Sequence, residues 1–304
     1  MKIAKAIDRW YEWYKAAHSV YSLNTLHTKL KVWSKGNRSK DIRKVTWQDL
    51  HEHVNVNLLE KGLALGTIKQ HLAALNSLFY YLTNEAIVTK NPAASIRIDA
   101  RSMSFEQLEP PEKVPIKNNE YVQIMAHLSL TGGWPSNEFW RIAVPLGFYC
   151  GLRISDCLTL EYNCFSKDGL IVHTKKRLKR VMLPWDDPNI NSADVKQVRK
   201  WVSTKHARTG AWLSKEPTFV FKQYAQAYKL GKTQKYSTAF ERLTKSLGIT
   251  NPDSGNGKSF HMLRHSFVTR LADKGVTIDD IAKKVGHSST KTTQIYNHGQ
   301  NKSS

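Results

Sequence analysis

The sequence predicts a mainly helical protein of two domains, with one small β-hairpin in the second. Three observations predict it. Apolar residues recur at helical spacing through most of the chain. A proline-bearing stretch without a sustained period, containing Pro110, Pro111 and Pro115, interrupts them. Two β-like runs then flank a polar stretch of lysine and arginine. At 304 residues the chain is also longer than a single core usually grows.

Taken in order, the first hundred residues read as helices alone, at about 4–17, 22–35, 46–61 and 67–86, with Thr46 and Thr67 as N-cap candidates. The second helix and the loop after it carry Lys29, Lys31, Lys35, Arg38, Lys40, Arg43 and Lys44. The fourth opens on Thr67, Lys69, Gln70 and His71. Such faces suit phosphates and base edges; the same charges also read as an ordinary solvated face. The division is then 1–95, a helical domain; 96–117, an extended linker; and 118–304, the second domain. In the second domain helices are expected near 118–130, 136–150 and 153–162, followed by the runs GLIVHT (169–174) and RVMLP (180–184) as a hairpin with a basic tip. Further helices are expected near 192–204, 236–247, 259–274, 277–285 and 290–297, several closed by glycine at Gly248, Gly275 and Gly286.

Composition narrows the function. Lys and Arg number 46 against 25 Asp and Glu, a formal charge of +21. A polyanionic partner, nucleic acid or an anionic membrane surface, would release condensed counterions on binding such a chain. No run of about 18 apolar residues occurs, and the opening MKIAKAIDRWYEWYK is amphipathic with acids, unlike a signal peptide. A cytoplasmic protein without a membrane role is expected. Cys150, Cys157 and Cys164 are odd in number and lack close pairing, which speaks against a disulfide framework or zinc site and for core packing in a reducing compartment.

Three segments carry chemistry. SFHMLRHSFVTRLADKG sets His261, Arg264 and His265 at i, i+3 and i+4 of one helix, a face suited to an anionic oxygen. H-x-x-R alone is a weak signal. In VGHSSTKTTQIYNHG, His287 follows the Gly286 helix stop and Tyr296 stands nine positions later. In GFYCGLRISDCLTL, Arg153 follows a Gly-Leu turn, and Asp156 either orients it or caps the next helix.

Together the phrases G-L-R-I-S-D, H-M-L-R-H-S, G-H-S-S and T-T-Q-I-Y, in that order, resemble the tyrosine recombinase or phage integrase family, in wording closest to its Xer-type and integrase-type bacterial members. The resemblance covers the second domain and more loosely the first, where a four-helix SAM-like core-binding domain ending in a phrase like VTKNPAA (88–94) is expected. It implies a C-shaped, two-domain DNA clamp and a site-specific recombinase that cuts and rejoins duplex DNA through a 3′-phosphotyrosine, for integration or excision of a mobile element or related recombination. The implied catalytic set is Arg153, a hairpin lysine, His261, Arg264, His287 and the nucleophile Tyr296. Lys176 fits the register counted back from Pro184, with Lys175 as the competitor. Asp156 would support Arg153, and His265 would serve either packing or the site. The chemistry asks for the same residue types: fixed guanidiniums for nonbridging oxygens and a base for a tyrosine hydroxyl whose ordinary pKa is about 10. No metal and no ATP is required. The implied partners are a double-stranded recombination site, further copies of the chain as a dimer per site and a tetramer in synapsis, and accessory DNA-bending or directionality proteins, in a bacterial or phage nucleoid. Only eight residues, NHGQNKSS, follow Tyr296, where many relatives extend with a helix that docks into the neighbouring protomer. The competing readings are a noncatalytic DNA-binding relative and a type IB topoisomerase.

Overall fold

The computed structural model describes residues 1–108, 114–130, 136–174, 179–209 and 218–286. The chain divides into two compact units, Met1–Glu112 and Lys113–Ser304, each with its own hydrophobic core.

The first unit is helical. In α1 (Ile3–Ala17) the buried residues Ile3, Ala6, Ile7 and Trp10 follow the three-to-four-residue spacing of one helix face. The Trp10 indole donates to Ser77 Oγ at 3.0 Å, joining α1 to the long helix α5 (Leu65–Asn84). Helix α2 (Val20–Ser34) contributes Leu23, Leu30 and Trp33. Thr46 caps α3 (Trp47–Glu52) in a capping box: its hydroxyl accepts the Asp49 N–H at 3.2 Å and Asp49 accepts the Thr46 N–H at 2.7 Å. A π-helical turn, His53–Asn57, leads from α3 into α4 (Leu58–Glu60). Thr67 does not cap α5. The helix begins two residues earlier, with Ala64 at its N-cap, because Leu65 already packs on the core.

Residues 96–108, aperiodic in sequence, pack on this unit. Ile96 and Met103 are buried in its core. Asn55 donates to the Arg97 carbonyl and accepts the Asp99 N–H, both at 2.9 Å. Beyond a single 3₁₀ turn, Ala100–Ser102, the short helix α6 (Phe105–Leu108) brings Gln107 Nε2 to the carbonyls of Leu59 and Leu63.

His71 lies inside the first unit, 3 % exposed, with its ring centroid 5.5 Å from that of His53. Burial first, then the nearby charges of Lys61 at His53 and of Lys29, His53 and Lys61 at His71, push both imidazoles down to about 4. The unfolded chain, with an ordinary value near 6.5, takes up protons first as pH falls. Stability is therefore fully present above about 6.5 and is lost progressively toward 4. The carboxyls of Asp41, Asp49 and Asp99, held below their usual range by hydrogen bonds, act only at lower pH. The unfolding midpoint of this unit should fall between pH 7 and 4, followed by circular dichroism, and the His53→Leu/His71→Leu double variant should flatten that dependence. An unchanged wild-type midpoint across the window would refute it.

The second unit begins with α7 (Asn118–Leu130) and α8 (Ser136–Cys150), which crosses its centre. After a turn come α9 (Ile154–Leu158) and a hairpin of β1 (Gly169–Thr174) and β2 (Lys179–Pro184), antiparallel with Leu170 opposite Leu183 and His173 opposite Arg180. Leu170, Val172, Val181 and Leu183 face the core; His173, Arg180 and Met182 face outward. Helix α9 is shorter than its sequence suggests because the residues after it turn extended and bridge to 218–220: the Val220 N–H donates to the Leu160 carbonyl at 2.8 Å. Helices α10 (Ala193–Thr209), α11 (Lys222–Lys229), α12 (Thr233–Ser246), α13 (His261–Asp273) and α14 (Ile278–Val285) complete the unit among the described residues. Helix α13 lies so close to α8 that a Cβ on Gly147 would come within 3.0 Å of Phe260 Cζ and 3.1 Å of Leu263 Cδ1. Cys150 and Cys157 are buried, and burial pushes the Cys150 thiol up to about 12. Among the described residues, no helix is long and apolar enough to cross a membrane.

Candidate active site

The local structure around Arg153 is fixed by a glycine and an aspartate. Gly151 ends α8 at φ +65°, and a Cβ there would lie 2.6 Å from Phe267 Cδ1, so only glycine allows both the left-handed turn and the seat of α13. The chain then runs extended through Arg153, the N-cap of α9. Asp156, 4 % exposed, accepts the Arg153 backbone N–H at 3.3 Å, and the Arg153 carbonyl starts the helix by accepting from Asp156 and Cys157. Arg153 is half-buried at this corner.

Arg264 is the organising residue of the site. It is 3 % exposed. Its Nη1 donates to the Gly151 carbonyl at 2.6 Å and its Nη2 to the Val285 carbonyl at 2.5 Å. These carbonyls stand at the C-terminal ends of α8 and α14, where unpaired carbonyls and the helix dipoles concentrate negative partial charge. Two helix ends thus hold one guanidinium. The first lies two residues before Arg153 and the second two residues before His287, so Arg264 ties the Arg153 turn and the approach to His287 to its own helix. Thr277 caps α14 and Gly286 ends it at φ +64°; Lys284 pairs with Asp187 beyond β2.

His261 stands exposed in the first turn of α13, and His265, 4 % exposed, lies one turn further; their ring centroids are 5.0 Å apart at an interplanar angle of 77°. Arg270, which the sequence reading passed over, donates to the Phe148 carbonyl at 2.5 Å and lies over the rings of Phe148 and Tyr149, 4.0 and 4.9 Å from their centroids. The structure therefore joins the turn before Arg153 and the end of α14 through Arg264, on the helix that also carries the His261–His265 pair. Lys175, Lys176, His287 and Tyr296 lie outside the described residues.

In the first unit Lys31, Lys35, Arg38, Lys44, Lys69 and Gln70 are exposed, and Lys29 and Thr67 are half-buried. Arg43 is exposed but engaged, its Nη2 2.6 Å from an oxygen of Asp41, and Lys40 pairs with Asp49 at 3.0 Å. His71, grouped in sequence with the outward-facing Lys69 and Gln70, turns inward against His53 instead. It stands three residues after the buried Ile68 and four before the buried Leu75, on the core-facing stripe of α5.

The phage integrase family matches residues 115–303 of this chain. Over most of its length the chain is similar to the tyrosine recombinase XerC of Bacillus subtilis (strain 168), 23 % identical over 297 residues that cover 96 % of this chain and 88 % of that protein. A tyrosine recombinase of Thermosipho africanus is 26 % identical over 269 residues, 85 % of this chain and 82 % of its own. Among solved structures, a lambda integrase dimer bound to a COC′ core site aligns with a TM-score of 0.69 at 16 % identity, covering 99 % of this chain and 97 % of that one. The Tn1549 transposon integrase in complex with transposon right end DNA aligns with a TM-score of 0.64 at 19 % identity, covering 98 % and 95 %. At such identities the structural likeness speaks for the fold, and the extent of the sequence match speaks for descent. The chain belongs to the phage integrase family, the tyrosine-type site-specific DNA recombinases.

Proposed function

We propose that this chain cleaves and rejoins duplex DNA at specific sites through a 3′-phosphotyrosine on Tyr296, to integrate or excise a mobile element or in related recombination. The Tyr296 hydroxyl attacks the scissile phosphorus, its proton passing to His261, while the bond from phosphorus to the 5′ oxygen breaks. Arg153, Arg264 and His287 stabilise the charge that builds on the nonbridging oxygens. Lys176, or Lys175 beside it, protonates the departing 5′ oxygen. A second 5′ hydroxyl reverses the steps and joins the new strand, so the bond energy is kept in the phosphotyrosine. Asp156 keeps Arg153 at its corner, and His265 supports His261.

The observation that carries this reading is the Arg264 guanidinium bonded to the carbonyls of Gly151 and Val285. It ties the turn before Arg153 and the end of α14 to the helix that carries His261 and Arg264. Residues 1–112, which include the segment packed on the helical core, serve as the core-binding domain and residues 113–304 as the catalytic domain. Lys29, Lys31, Lys35, Arg38, Arg43, Lys44, Thr67, Lys69 and Gln70 contact the DNA backbone and base edges. Lambda integrase is known as a dimer on a core site and as a tetramer on a Holliday junction; this chain acts in the same two assemblies, in the cytoplasm, with accessory DNA-bending or directionality proteins.

The test is incubation of the purified chain with nicked suicide duplexes from its genomic neighbourhood, followed by denaturing gels and peptide mapping. A DNA-linked band whose modified peptide contains Tyr296 is expected. Tight DNA binding without any adduct would favour the noncatalytic relative. Relaxation of any supercoiled plasmid, regardless of sequence, would favour a topoisomerase.

A further inference from the structure

Four hydrogen bonds converge where the chain enters the second unit. Lys258 is 2 % exposed, and its ammonium donates to both carboxylate oxygens of Glu120, at 2.9 and 2.8 Å, and to the Pro115 carbonyl at 2.9 Å. The Ser266 hydroxyl donates to the neighbouring Ile116 carbonyl at 2.7 Å. On the other side of Lys258, its own carbonyl accepts the Thr244 hydroxyl at 2.8 Å, and a Cβ on Gly257 would lie 1.9 Å from the Glu241 carbonyl. Residues 257–258 are therefore wedged between α12 and the 115–120 segment, and α13 starts three residues later at His261.

The body of α13 is held by other means: Leu263 against Gly147, Arg264 on two helix ends, Arg270 on Phe148. Its first residue, His261, follows directly on the stretch 257–260, in which Lys258 is fixed by Glu120 and the Pro115 carbonyl and Phe260 is buried against Trp140 and Phe240. A buried ion pair adds little net stability over an apolar packing of the same volume, since desolvation offsets its attraction. Its directed bonds fix geometry instead.

We propose that Lys258, held by Glu120, is a positioning residue for strand cleavage: the ion pair and the Pro115 carbonyl set the approach to α13 and thereby the place of His261. The proposal rests on the tyrosine chemistry described above. Single-turnover cleavage of a suicide duplex by the full chain tests it, with Lys258→Met, Lys258→Arg and Glu120→Gln, the last keeping the size and an acceptor of the native side chain. Lys258→Met should slow the cleavage rate constant by about 10- to 100-fold, the scale on which small displacements act. DNA affinity and the final amplitude of adduct should stay at wild-type levels, Glu120→Gln should be intermediate, and Lys258→Arg should recover part of the rate. A residue that only supports folding would lower the amplitude and the thermal midpoint and leave the rate constant of the surviving molecules unchanged; that result, or a wild-type rate constant in both Lys258→Met and Glu120→Gln, overturns the proposal. A wild-type protein that forms no adduct overturns the tyrosine chemistry and the positioning role together.

Discussion

The Tyr296→Phe protein should bind its recombination site as the wild type does and form no covalent adduct with it. The substitution removes one oxygen, the atom proposed to bond phosphorus, and keeps the ring. A phenyl group has no lone pair to offer, and the roles proposed for the other groups are to stabilise charge or move protons rather than to attack. The loss should therefore be complete within detection rather than a fractional slowing. On the proposed reading affinity comes from cationic side chains against phosphates, which the substitution leaves in place, and it should not change. Gel shift and denaturing gel on the same samples check both halves of the expectation. An adduct formed by Tyr296→Phe would mean that another residue is the nucleophile.

Arg264→Ala should show the second largest effect, and on two observables at once. Removing a fixed donor to a developing oxyanion typically slows the chemical step by about 10²–10³. Arg264 also satisfies two carbonyls in a place where the side chain is almost wholly buried. Leaving each without a partner costs about 1–3 kcal/mol, so the thermal midpoint should fall along with the rate. Arg264→Lys should rescue little, because a single ammonium cannot span the Gly151 and Val285 carbonyls with the planar fork of a guanidinium. Arg153→Ala should likewise slow cleavage, since it removes the second guanidinium proposed to donate to the nonbridging oxygens. Cleavage by Arg264→Ala within a few-fold of the wild type would refute the role assigned to it.

Much of the fold was legible because its signals are local. The Thr46 capping box spans four residues, the buried stripe of α1 repeats on a helical period, and the hairpin alternates core and solvent residues, all patterns contained within a single element. The misreadings share a different cause. Thr67 is a good cap by type, yet packing of Leu65 moved the helix start. Residues 96–108 carry no period, but Ile96, Met103 and Gln107 find partners in a unit already built by the residues before them. Helix α11 was not anticipated, since an eight-residue span with Tyr224 and Ala225 as its buried residues offers too few repeats to establish a period. In the site, the residue types and their order could be read, because the motifs are contiguous. What Arg264 does could not: its carbonyl partners lie 113 and 21 residues away. The Lys258–Glu120 pair, separated by 138 residues, left no trace in the sequence for the same reason.

The contact between α8 and α13 also bears on how this sequence can drift. Gly147 has no side chain because Phe260 and Leu263 occupy the space one would fill, at 3.0 to 3.2 Å from the missing Cβ. A methyl group there would require the Phe260 ring and the Leu263 side chain, beside His261 and Arg264, to give by a few tenths of an ångström, a shift that a smaller residue at either position would relieve. Divergent descendants of this chain should therefore change these positions in concert, small for large and large for small, so that the seam behind the site evolves as a unit.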